Sequence, residues 1–406
     1  MQRAHRPFGL TLVAALVALA GCTTVLTRAP VPAEEAGIAA PYGIVGIGPL
    51  RAWGDRTGAD QGDVILELWS EAIRRTHAEE IAAGEPIIEN MLALSGGGPD
   101  GAYGAGLLQG WTERGDRPRF DVVTGISTGA IVALFAFLGP DYDDEMREVY
   151  TTYETDQLVT PALFTGLTGG SALVDNRNFR ALIEEYVDEE VVAKLAEEAL
   201  KGRVLLIGTT NLDATRPMVW SLGGIAATGH PDARRLIHDV IQASSAIPAA
   251  FPPVLIPVQG SDGTWYDEMH VDGGATQQVM FLSPDFPMRQ VDEAVGTRID
   301  RTLYVVVNNR LKKTYDPVRP RVISVAGAAV SGLISGSNTG DIYKIFAIAA
   351  RDGIELRFID IPESFDLEAE EPFDKVYMQG LYDTGREDGL AGERWLDSPP
   401  DYVAWP

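Results

Sequence analysis

Residues 120–138 have the sequence FDVVTGISTGAIVALFAFL. The apolar run Phe120–Thr124 is typical of a buried strand, and Thr128–Leu138 has the composition of a buried helix. The Gly-Ile-Ser-Thr-Gly motif between them places Ser127 on a sharp strand-to-helix turn, where only small neighbours fit. Such a turn exposes the serine hydroxyl and directs the positive end of the helix dipole toward it. The stretch therefore predicts a strand–turn–helix unit that carries a candidate nucleophile.

The same order of strand, glycine turn and helix occurs upstream. Met91–Leu94 is a short apolar run, Gly96–Gly101 is rich in glycine, and Ala102–Trp111 has a helical pattern. Repeated units of this kind are typical of parallel βαβ folds, so the sequence predicts the α/β class. Further segments that fit are the strands Val204–Gly208, Leu303–Val307 and Ile354–Ile361 and the helices Asp63–Ala83, Asn178–Lys201 and Phe373–Glu387.

One more stretch, Val322–Ala350, is apolar and helical in pattern. The glycines from Gly336 to Gly340 predict either one helix or two helices interrupted at that point. The first part, Val325–Ile334, contains apolar and small residues that suit a membrane contact or the wall of an acyl pocket. A buried core helix is the preferred interpretation of this part.

The bulk composition is that of a folded protein with a strong negative charge. The chain has 406 residues, of which 45% are hydrophobic and 22% charged, enough for one large α/β domain or two smaller ones. The formal net charge of −25 argues against nucleic-acid binding, which needs clustered Lys and Arg. It also argues against electrostatic docking of the chain as a whole onto anionic lipid, so attachment to a membrane needs another device.

The N-terminus has the layout of a secretory signal. Arg3 and Arg6 precede the apolar run Phe8–Ala20, which is too short to span a membrane as a helix. The following Leu-Ala-Gly-Cys-Thr resembles a bacterial lipobox, in which Cys22, the only cysteine, becomes the lipidated first residue of the mature chain. The alternative is an ordinary secretory signal with a chance cysteine. Because Thr23 follows, we expect a lipid anchor in the bacterial cell envelope, in the outer membrane facing the periplasm.

The glycine-rich run Gly96–Gly101 fits two kinds of site. A Gly-x-Gly-x-x-Gly pattern between a strand and a helix is also found in dinucleotide-binding folds. Pro99 removes one N–H donor from such a loop, Asp100 would place a negative charge beside a pyrophosphate, and the next strand does not end in an acidic residue. The preferred interpretation is therefore an oxyanion hole without a nucleotide cofactor. Its expected donors are the backbone N–H groups of Gly96, Gly97 and Gly98.

The candidate base is a carboxylate rather than a histidine. In an α/β-hydrolase the histidine follows the serine and the acid along the chain, and no histidine follows His270. His230, His238 and His270 remain possible in principle, but none lies in a strand-end or glycine-rich setting that marks a catalytic loop. Asp272 does, because it ends an apolar segment and precedes Gly273 and Gly274. A carboxylate held close to a serine and partly desolvated can take its proton directly.

These motifs together resemble the patatin-like phospholipase family. Four blocks occur in the order of that family: Leu94–Gly101, Gly125–Ala130, Ala243–Phe251 and Asp272–Gly274. The resemblance implies a three-layer α/β/α fold with a central, mostly parallel sheet and hydrolysis of lipid acyl esters by a dyad of Ser127 and Asp272. It implies no metal or other cofactor, and it gives supporting roles to Gly101, Gly125, Gly129 and Gly274. One departure is Asp100, where the family often has Arg or Lys.

The expected division of the chain follows from these assignments. A signal peptide covers residues 1–21, a lipidated N-terminus and tether 22–62, the hydrolase domain 63–310, and C-terminal helices and a strand packed on the same domain 311–406. The expected partner is a lipid or another acyl-ester substrate. Two alternatives remain: a non-catalytic lipid-binding lipoprotein on the same fold, and a hydrolase of soluble esters or thioesters. The intact Ser127 and Asp272 favour an enzyme.

Overall fold

The computed structural model describes residues 28–46, 48–56, 59–158, 160–161, 174–311 and 317–399. The predicted signal peptide, residues 1–21, and the predicted lipidation site, Cys22, lie outside this set. Their assignments therefore stay predictions.

The strands form one mixed sheet and a small hairpin within the described residues. They are β1 (Ala40–Pro41), β2 (Arg51–Trp53), β3 (Ile87–Leu94), β4 (Val122–Ile126), β5 (Thr160–Pro161), β6 (Val174–Asp175), β7 (Val204–Asn211), β8 (Arg216–Ser221), β9 (Val254–Gln259), β10 (Trp265–Asp272), β11 (Ile299–Val307) and β12 (Glu355–Asp360). The main sheet has the order β1-β9-β10-β7-β4-β3-β11-β12, with β8 paired to β7 and β2 paired to β8. Five neighbouring strands of this sheet are parallel to one another, namely β7, β4, β3, β11 and β12. The strands on the other side of β7 pair antiparallel.

Helices cover both faces of this sheet. They are α1 (Ala59–Thr76), α2 (Ala78–Ala83), α3 (Gly101–Arg114), α4 (Thr128–Leu138), α5 (Asp143–Thr151), α6 (Thr155–Leu158), α7 (Arg177–Tyr186), α8 (Glu189–Leu200), α9 (Leu222–Ala227), α10 (Ala233–Ser244), α11 (Met288–Val295), α12 (Val322–Asp352) and α13 (Lys375–Ala391). Short 3₁₀ turns lie at Gly98–Asp100, Pro140–Tyr142 and Gly273–Ala275.

The alternation of side chains along β3 divides the interior into two cores. Leu92 and Leu94 pack into one core with helices α3, α4, α10 and α13. Met91 and Ala93 point to the opposite face and pack into a second core with α1, α11 and α12. A central sheet whose middle strands are parallel, with helices on both sides, confirms the predicted α/β/α fold class.

The N-terminal segment differs from the predicted tether. Strand β1 pairs antiparallel with β9, and β2 pairs antiparallel with β8. The Arg51 side chain is buried and forms an ion pair with Glu268 on β10. The residues around these strands therefore belong to the folded body, which begins before residue 63. Local periodicity gives no sign of this because both strands are short and pair only with distant segments.

Two predicted helices are interrupted where the sequence pattern looks continuous. The stretch expected at Asn178–Lys201 divides into α7 and α8 at Asp188, whose carboxylate accepts a hydrogen bond from the Val191 N–H at 2.9 Å. The stretch expected at Asp63–Ala83 divides into α1 and α2 at His77. The Asp188 side chain caps the new helix, whereas the His77 side chain caps no N–H group, and neither break changes the apolar pattern.

Helix α12 shows the opposite difference, because it is continuous through 31 residues. A methyl group placed on Gly336 or Gly340 would meet no atom within 4 Å, so these glycines lie on an open face and do not bend the chain. Val325–Ile334 is the part expected to be buried, but those of its side chains that the structure describes are exposed. In the described part of the chain, no helix combines the length and apolarity that crossing a membrane requires.

Candidate active site

Ser127 occupies a strained turn between β4 and α4. Its φ of 54° and ψ of −127° place a non-glycine residue in a region that L-amino acids rarely adopt. The Ser127 N–H donates to the Ser244 hydroxyl at 2.9 Å, and that hydroxyl donates to the Gly208 carbonyl at 2.7 Å. The Ser244 side chain therefore links the elbow to β7.

Three of the four predicted supporting glycines lie where a side chain would collide with the elbow, and a side chain on the fourth, Gly274, would collide with Gln278 and Asp272. A Cβ on Gly125 would lie 2.3 Å from the Gly129 carbonyl oxygen, and one on Gly129 would lie 2.5 Å from the Leu94 oxygen. A Cβ on Gly101 would lie 2.0 Å from Oγ1 of Thr128. The first turns of α3 and α4 can therefore pack tightly around the serine only because these residues are glycine.

Asp272 ends strand β10 and is buried next to the serine. Its Oδ1 accepts the Gly274 N–H at 2.7 Å, and its own N–H donates to the Ala246 carbonyl at 2.9 Å. Burial raises the pKa of Asp272 to about 6, against the opposing effect of hydrogen bonding from the Ser127 hydroxyl and the Gly274 N–H. The structure thus brings Ser127 and Asp272 together, with the carboxyl in a setting that makes it a stronger base than usual.

Two of the three predicted donors in the glycine loop have N–H groups that are free among the described contacts. In the part of the chain that the structure describes, the N–H groups of Gly97 and Gly98 bond to no protein acceptor, and Gly98 borders the same pocket as Ser127. The Gly96 N–H is different, because it donates to the Gln278 carbonyl at 2.9 Å. The prediction that the Gly96 N–H is an oxyanion donor is therefore wrong, because this N–H already donates to a carbonyl group. Gly96 approaches Ser127 closely without offering a free N–H.

Two asparagines that the sequence did not single out hold this loop. The Asn308 amide donates to the Ser95 carbonyl at 2.9 Å and accepts the Gly104 N–H at 3.1 Å. The Asn309 amide donates to the Gly96 carbonyl at 3.0 Å. Both follow strand β11, so only the pairing of β11 with β3 brings them to the loop. They fix the peptide planes on which an oxyanion hole depends.

Gln278 connects the loop to the aspartate. Its carbonyl accepts the Gly96 N–H, and its side-chain amide donates to the Gly274 carbonyl at 2.7 Å. The Gln278 N–H in turn donates to Asp341 on α12 at 2.7 Å, and burial raises the pKa of Asp341 to about 6. A single residue therefore positions both halves of the candidate site, and α12 holds that residue.

Asp100, which departs from the family pattern, is hydrogen-bonded to the C-terminal helix α13. The Tyr377 hydroxyl on α13 donates to its Oδ1 at 2.7 Å. Burial raises the pKa of Asp100 to about 6, while the Tyr377 hydrogen bond and the positive charge of Arg310 oppose that rise. The carboxyl therefore ties the glycine loop to α13, and a cation is present nearby on a different segment.

The three histidines considered as alternatives have other partners. His270 is fully buried and bonds to Thr209 at 3.0 Å and to Glu268 at 3.1 Å. His238 bonds to the Val187 carbonyl at 2.7 Å. His230 accepts the Asp232 N–H at 3.1 Å. Among the described contacts, none of the three joins Ser127 or Asp272.

An apolar pocket of about 100 Å³ opens at the serine. Its walls come from helices α4, α5, α7 and α10 and from the segment after α10. The lining is almost entirely aliphatic and aromatic, and it includes Ile131, Leu134, Phe135, Val149, Phe179, Leu182, Ile183, Ile241, Ile247 and Phe251. Such a pocket suits a hydrocarbon chain with its reactive end at Ser127. Across the described ranges, no group of three or more His, Cys, Asp or Glu side chains could hold a metal ion.

Comparison with known proteins agrees with this geometry. Residues 92–285 match the sequence model of the patatin-like phospholipase family. Over 214 residues the chain is 28% identical to the cUMP-AMP-activated phospholipase of Escherichia coli, covering 50% of this chain and 60% of that protein. Over 324 residues it is 22% identical to calcium-independent phospholipase A2-gamma of Rattus norvegicus, covering 73% of this chain and 38% of that protein. The chain thus spans less than two thirds of either relative.

Two solved structures align with the chain at low TM-scores. VipD from Legionella pneumophila aligns with a TM-score of 0.36 at 13% identity, covering 76% of this chain and 67% of that one. Human GIVD cytosolic phospholipase A2 aligns with a TM-score of 0.37 at 10% identity, covering 84% of this chain and 65% of that one. On the evidence of the family match, residues 92–285 of this chain are a domain of the patatin-like phospholipase family.

Proposed function

We propose that this protein is a serine acyl hydrolase that cleaves acyl esters of lipids, with Ser127 as nucleophile and Asp272 as general base. Membership in the family supports hydrolysis of lipid acyl esters. The observation that carries the finer assignment is the placement of the Ser127 hydroxyl against the buried Asp272 carboxyl at the mouth of an apolar pocket. Neither residue depends on a histidine for this arrangement.

The proposed reaction proceeds through an acyl-enzyme. Asp272 accepts the Ser127 proton as the serine oxygen bonds to the ester carbonyl carbon, and the carbonyl oxygen becomes an alkoxide. The N–H groups of Gly97 and Gly98 stabilise that alkoxide. The tetrahedral intermediate then expels the alcohol, which takes the proton from Asp272. A water molecule, deprotonated by Asp272, releases the fatty acid and restores the serine.

The pocket supports a substrate with a long acyl chain. Its apolar lining can replace the water around a hydrocarbon, which contributes about 0.8 kcal/mol for each methylene group buried. We therefore expect the acyl chain to contribute most of the binding free energy.

A lipid-class panel tests this function. Wild-type protein and Ser127→Ala are compared on phospholipid, neutral lipid, short soluble ester and thioester substrates, with released fatty acid measured by mass spectrometry. We expect the wild type to release fatty acid from long-chain lipids and the variant to release none above background. Preference for the short ester or the thioester would indicate a soluble-ester or thioester hydrolase. Lipid binding without turnover would indicate a non-catalytic lipid-binding protein.

The activity is expected to fall on the acid side with a limb near pH 6. Only the ionised form of Asp272 can accept a proton, and the pKa raised to about 6 means that the protonated fraction grows as the pH falls through that value. The measurement is kcat/KM for a soluble ester as a function of pH. Asp100→Asn is the matched control because the pKa of Asp100 is also about 6. A limb that disappears in this control would assign the titration to the wrong carboxyl.

We propose that Cys22 carries the lipid anchor and that the folded body lies in the periplasm, attached to the outer membrane. The support is the lipobox-like sequence around this single cysteine. Cys22→Ser is expected to move the protein from the membrane fraction to the soluble fraction when expressed in a Gram-negative host. Metabolic labelling with an alkyne fatty acid checks the modification directly. A Cys22→Ser chain that incorporates the label would contradict the assignment.

A further inference from the structure

Helix α12 is longer than the strands of the sheet against which it packs. Its 31 residues extend about 46 Å at 1.5 Å per residue, whereas the nine residues of β11 span about 30 Å. The helix follows β11 and precedes β12, and these two strands are parallel. It therefore runs from the carboxyl edge of the sheet back to the amino edge, and its excess length projects past the carboxyl edge, where Ser127 lies.

Burial along α12 changes at one point. From Asn338 onward the helix contributes buried residues to the second core, among them Ile342, Ile345 and Ile348. Residues 322–337, called here the projecting half, contribute none among those whose exposure is described. The side chains of the projecting half whose exposure is described are therefore exposed or half-buried.

The exposed face of the projecting half is apolar. Leu333 is 74% exposed and Val325 52%, and Ile334 beside them is 38% exposed. Val325, Ala328, Ala329, Gly332 and Leu333 share one side of the helix, at the spacing where a surface helix normally carries polar residues. A contiguous exposed surface of this kind is typical of an interaction site.

The charge of this region is opposite to that of the protein. The whole chain carries 58 acidic residues and a net charge of −25, but residues 317–340 contain no Asp or Glu. The charged side chains in that stretch are Arg319 and Arg321, both exposed at the start of the helix. An apolar face with basic residues at its end matches the surface of a bilayer that contains anionic lipid.

The projecting half is also joined to the candidate site. Asp341 lies eight residues after Leu333, about 12 Å along the helix axis, and accepts the Gln278 N–H. Gln278 holds both the glycine loop and the Asp272 loop. Another exposed apolar side chain, Ile247 at 38%, lines the mouth of the acyl pocket itself. The projecting half and the pocket residue Ile247 are therefore both joined to the carboxyl edge of the sheet, where Ser127 lies.

We propose that the projecting half of α12 docks on the surface of an anionic phospholipid bilayer and that this docking turns the opening of the acyl pocket toward the lipid. The proposal rests on the proposed function, because it supplies the surface from which that site would draw its substrate. Leu333 and Val325 enter the acyl boundary, and Arg319 and Arg321 meet the lipid phosphates. Local charge thus allows a contact that the net charge of the chain opposes.

A single fluorescent label tests the docking directly. Because Cys22 is the only cysteine, the full chain with Cys22→Ser and Leu333→Cys accepts an environment-sensitive fluorophore at one position. The matched control is Leu200→Cys in the same background, since Leu200 is 61% exposed at the end of α8, near the opposite edge of the sheet. With phosphatidylglycerol-containing vesicles, we expect a blue shift and quenching by lipid-phase quenchers for the label at 333 and neither for the label at 200.

The outcome that overturns the proposal is an unchanged label at 333, or equal shifts at both positions. A shift at 333 that grows with protein concentration in the absence of vesicles also overturns it, because a second copy of the chain would then cover this face. Introducing Ser127→Ala into the labelled chain separates docking from catalysis, and the blue shift is expected to persist. A chain that docks but releases no fatty acid would therefore contradict only the proposed function.

A charge substitution gives a second readout. Leu333→Glu is expected to lower hydrolysis of phosphatidylglycerol vesicles about tenfold, the loss that follows from keeping one leucine out of the apolar layer. It is expected to leave hydrolysis of a soluble short-chain ester unchanged, because Leu333 lines no part of the pocket. Leu200→Glu is the control and should change neither rate. Unaltered vesicle hydrolysis by Leu333→Glu would contradict the docking surface.

Discussion

Asp272→Asn is expected to lower kcat on the order of 10⁴-fold, about as much as Ser127→Ala, when hydrolysis of a chromogenic ester is measured. Asparagine keeps the shape of the side chain and can still accept the Gly274 N–H, but it cannot take the Ser127 proton. Because the two residues act as one unit, the double variant should lose little more than either single variant. A double variant whose loss is the product of the two would contradict the dyad.

The same substitution carries its own control for folding. Burial raises the pKa of Asp272 from its ordinary value of 3.8 to about 6, so ionisation of this carboxyl opposes folding increasingly between these pH values and fully above about 6. Removing that charge should leave the melting temperature at neutral pH unchanged or higher. Loss of activity in a protein that melts no earlier cannot be attributed to unfolding. If Asp272→Asn keeps most of the activity while His238→Gln or His270→Gln removes it, a serine–histidine arrangement would have to replace the dyad.

Gly97→Ala is expected to lower kcat on the order of 10²-fold, the loss typical of removing one oxyanion donor. A Cβ at this position would lie 2.1 Å from the Asn308 carbonyl oxygen and 2.9 Å from its Cβ. Because this oxygen belongs to backbone, the glycine loop must move, and the Gly97 N–H then leaves its position. The measurement is kcat for a short ester at a temperature well below the melting transition.

Gly98→Ala provides the comparison for that prediction. Its Cβ would meet no atom within 4 Å, but its φ of 59° costs an alanine about 1 kcal/mol. The N–H stays in place, so the expected loss of kcat is much smaller than for Gly97→Ala. Equal losses in the two variants would indicate that backbone strain, and not the position of a donor, limits the reaction.

The parts of the fold that the sequence predicts are those coded by adjacent residues. Strand β3 with its glycine turn and strand β4 with its serine turn each contain an apolar run followed at once by small residues. Such units follow from periodicity and turn chemistry alone. The sequence also predicts the candidate site residues Ser127 and Asp272 and the glycine loop, because each lies in a short motif.

The residues that the sequence does not predict act through long-range packing. Asn308 and Gln278 look like ordinary polar residues after a strand and in a loop, and their roles depend on strands paired across the sheet. Asp341 lies within an apolar helix, where nothing local indicates that it will bond to Gln278. The free or engaged state of the Gly96 N–H likewise depends on a carbonyl 182 positions along the chain, at Gln278. Local patterns contain no information on such contacts.

Burial is the other property that a local pattern misjudges. The segment Val325–Ile334 has the composition of a core helix, but its described side chains are exposed, because α12 is longer than the strands beside it. Apolar composition predicts that a face will be covered but not what covers it. Whether a helix is longer than the strands it packs on is known only from the three-dimensional structure.

Covalent trapping of Ser127 tests the proposed mechanism most directly. Wild-type protein is treated with a fluorophosphonate probe, digested and analysed by tandem mass spectrometry. We expect one adduct, on the peptide that contains Ser127, with none in Ser127→Ala and strongly slowed labelling in Asp272→Asn. An adduct on a different serine, or equal labelling of Ser127→Ala, would contradict the assignment of the nucleophile.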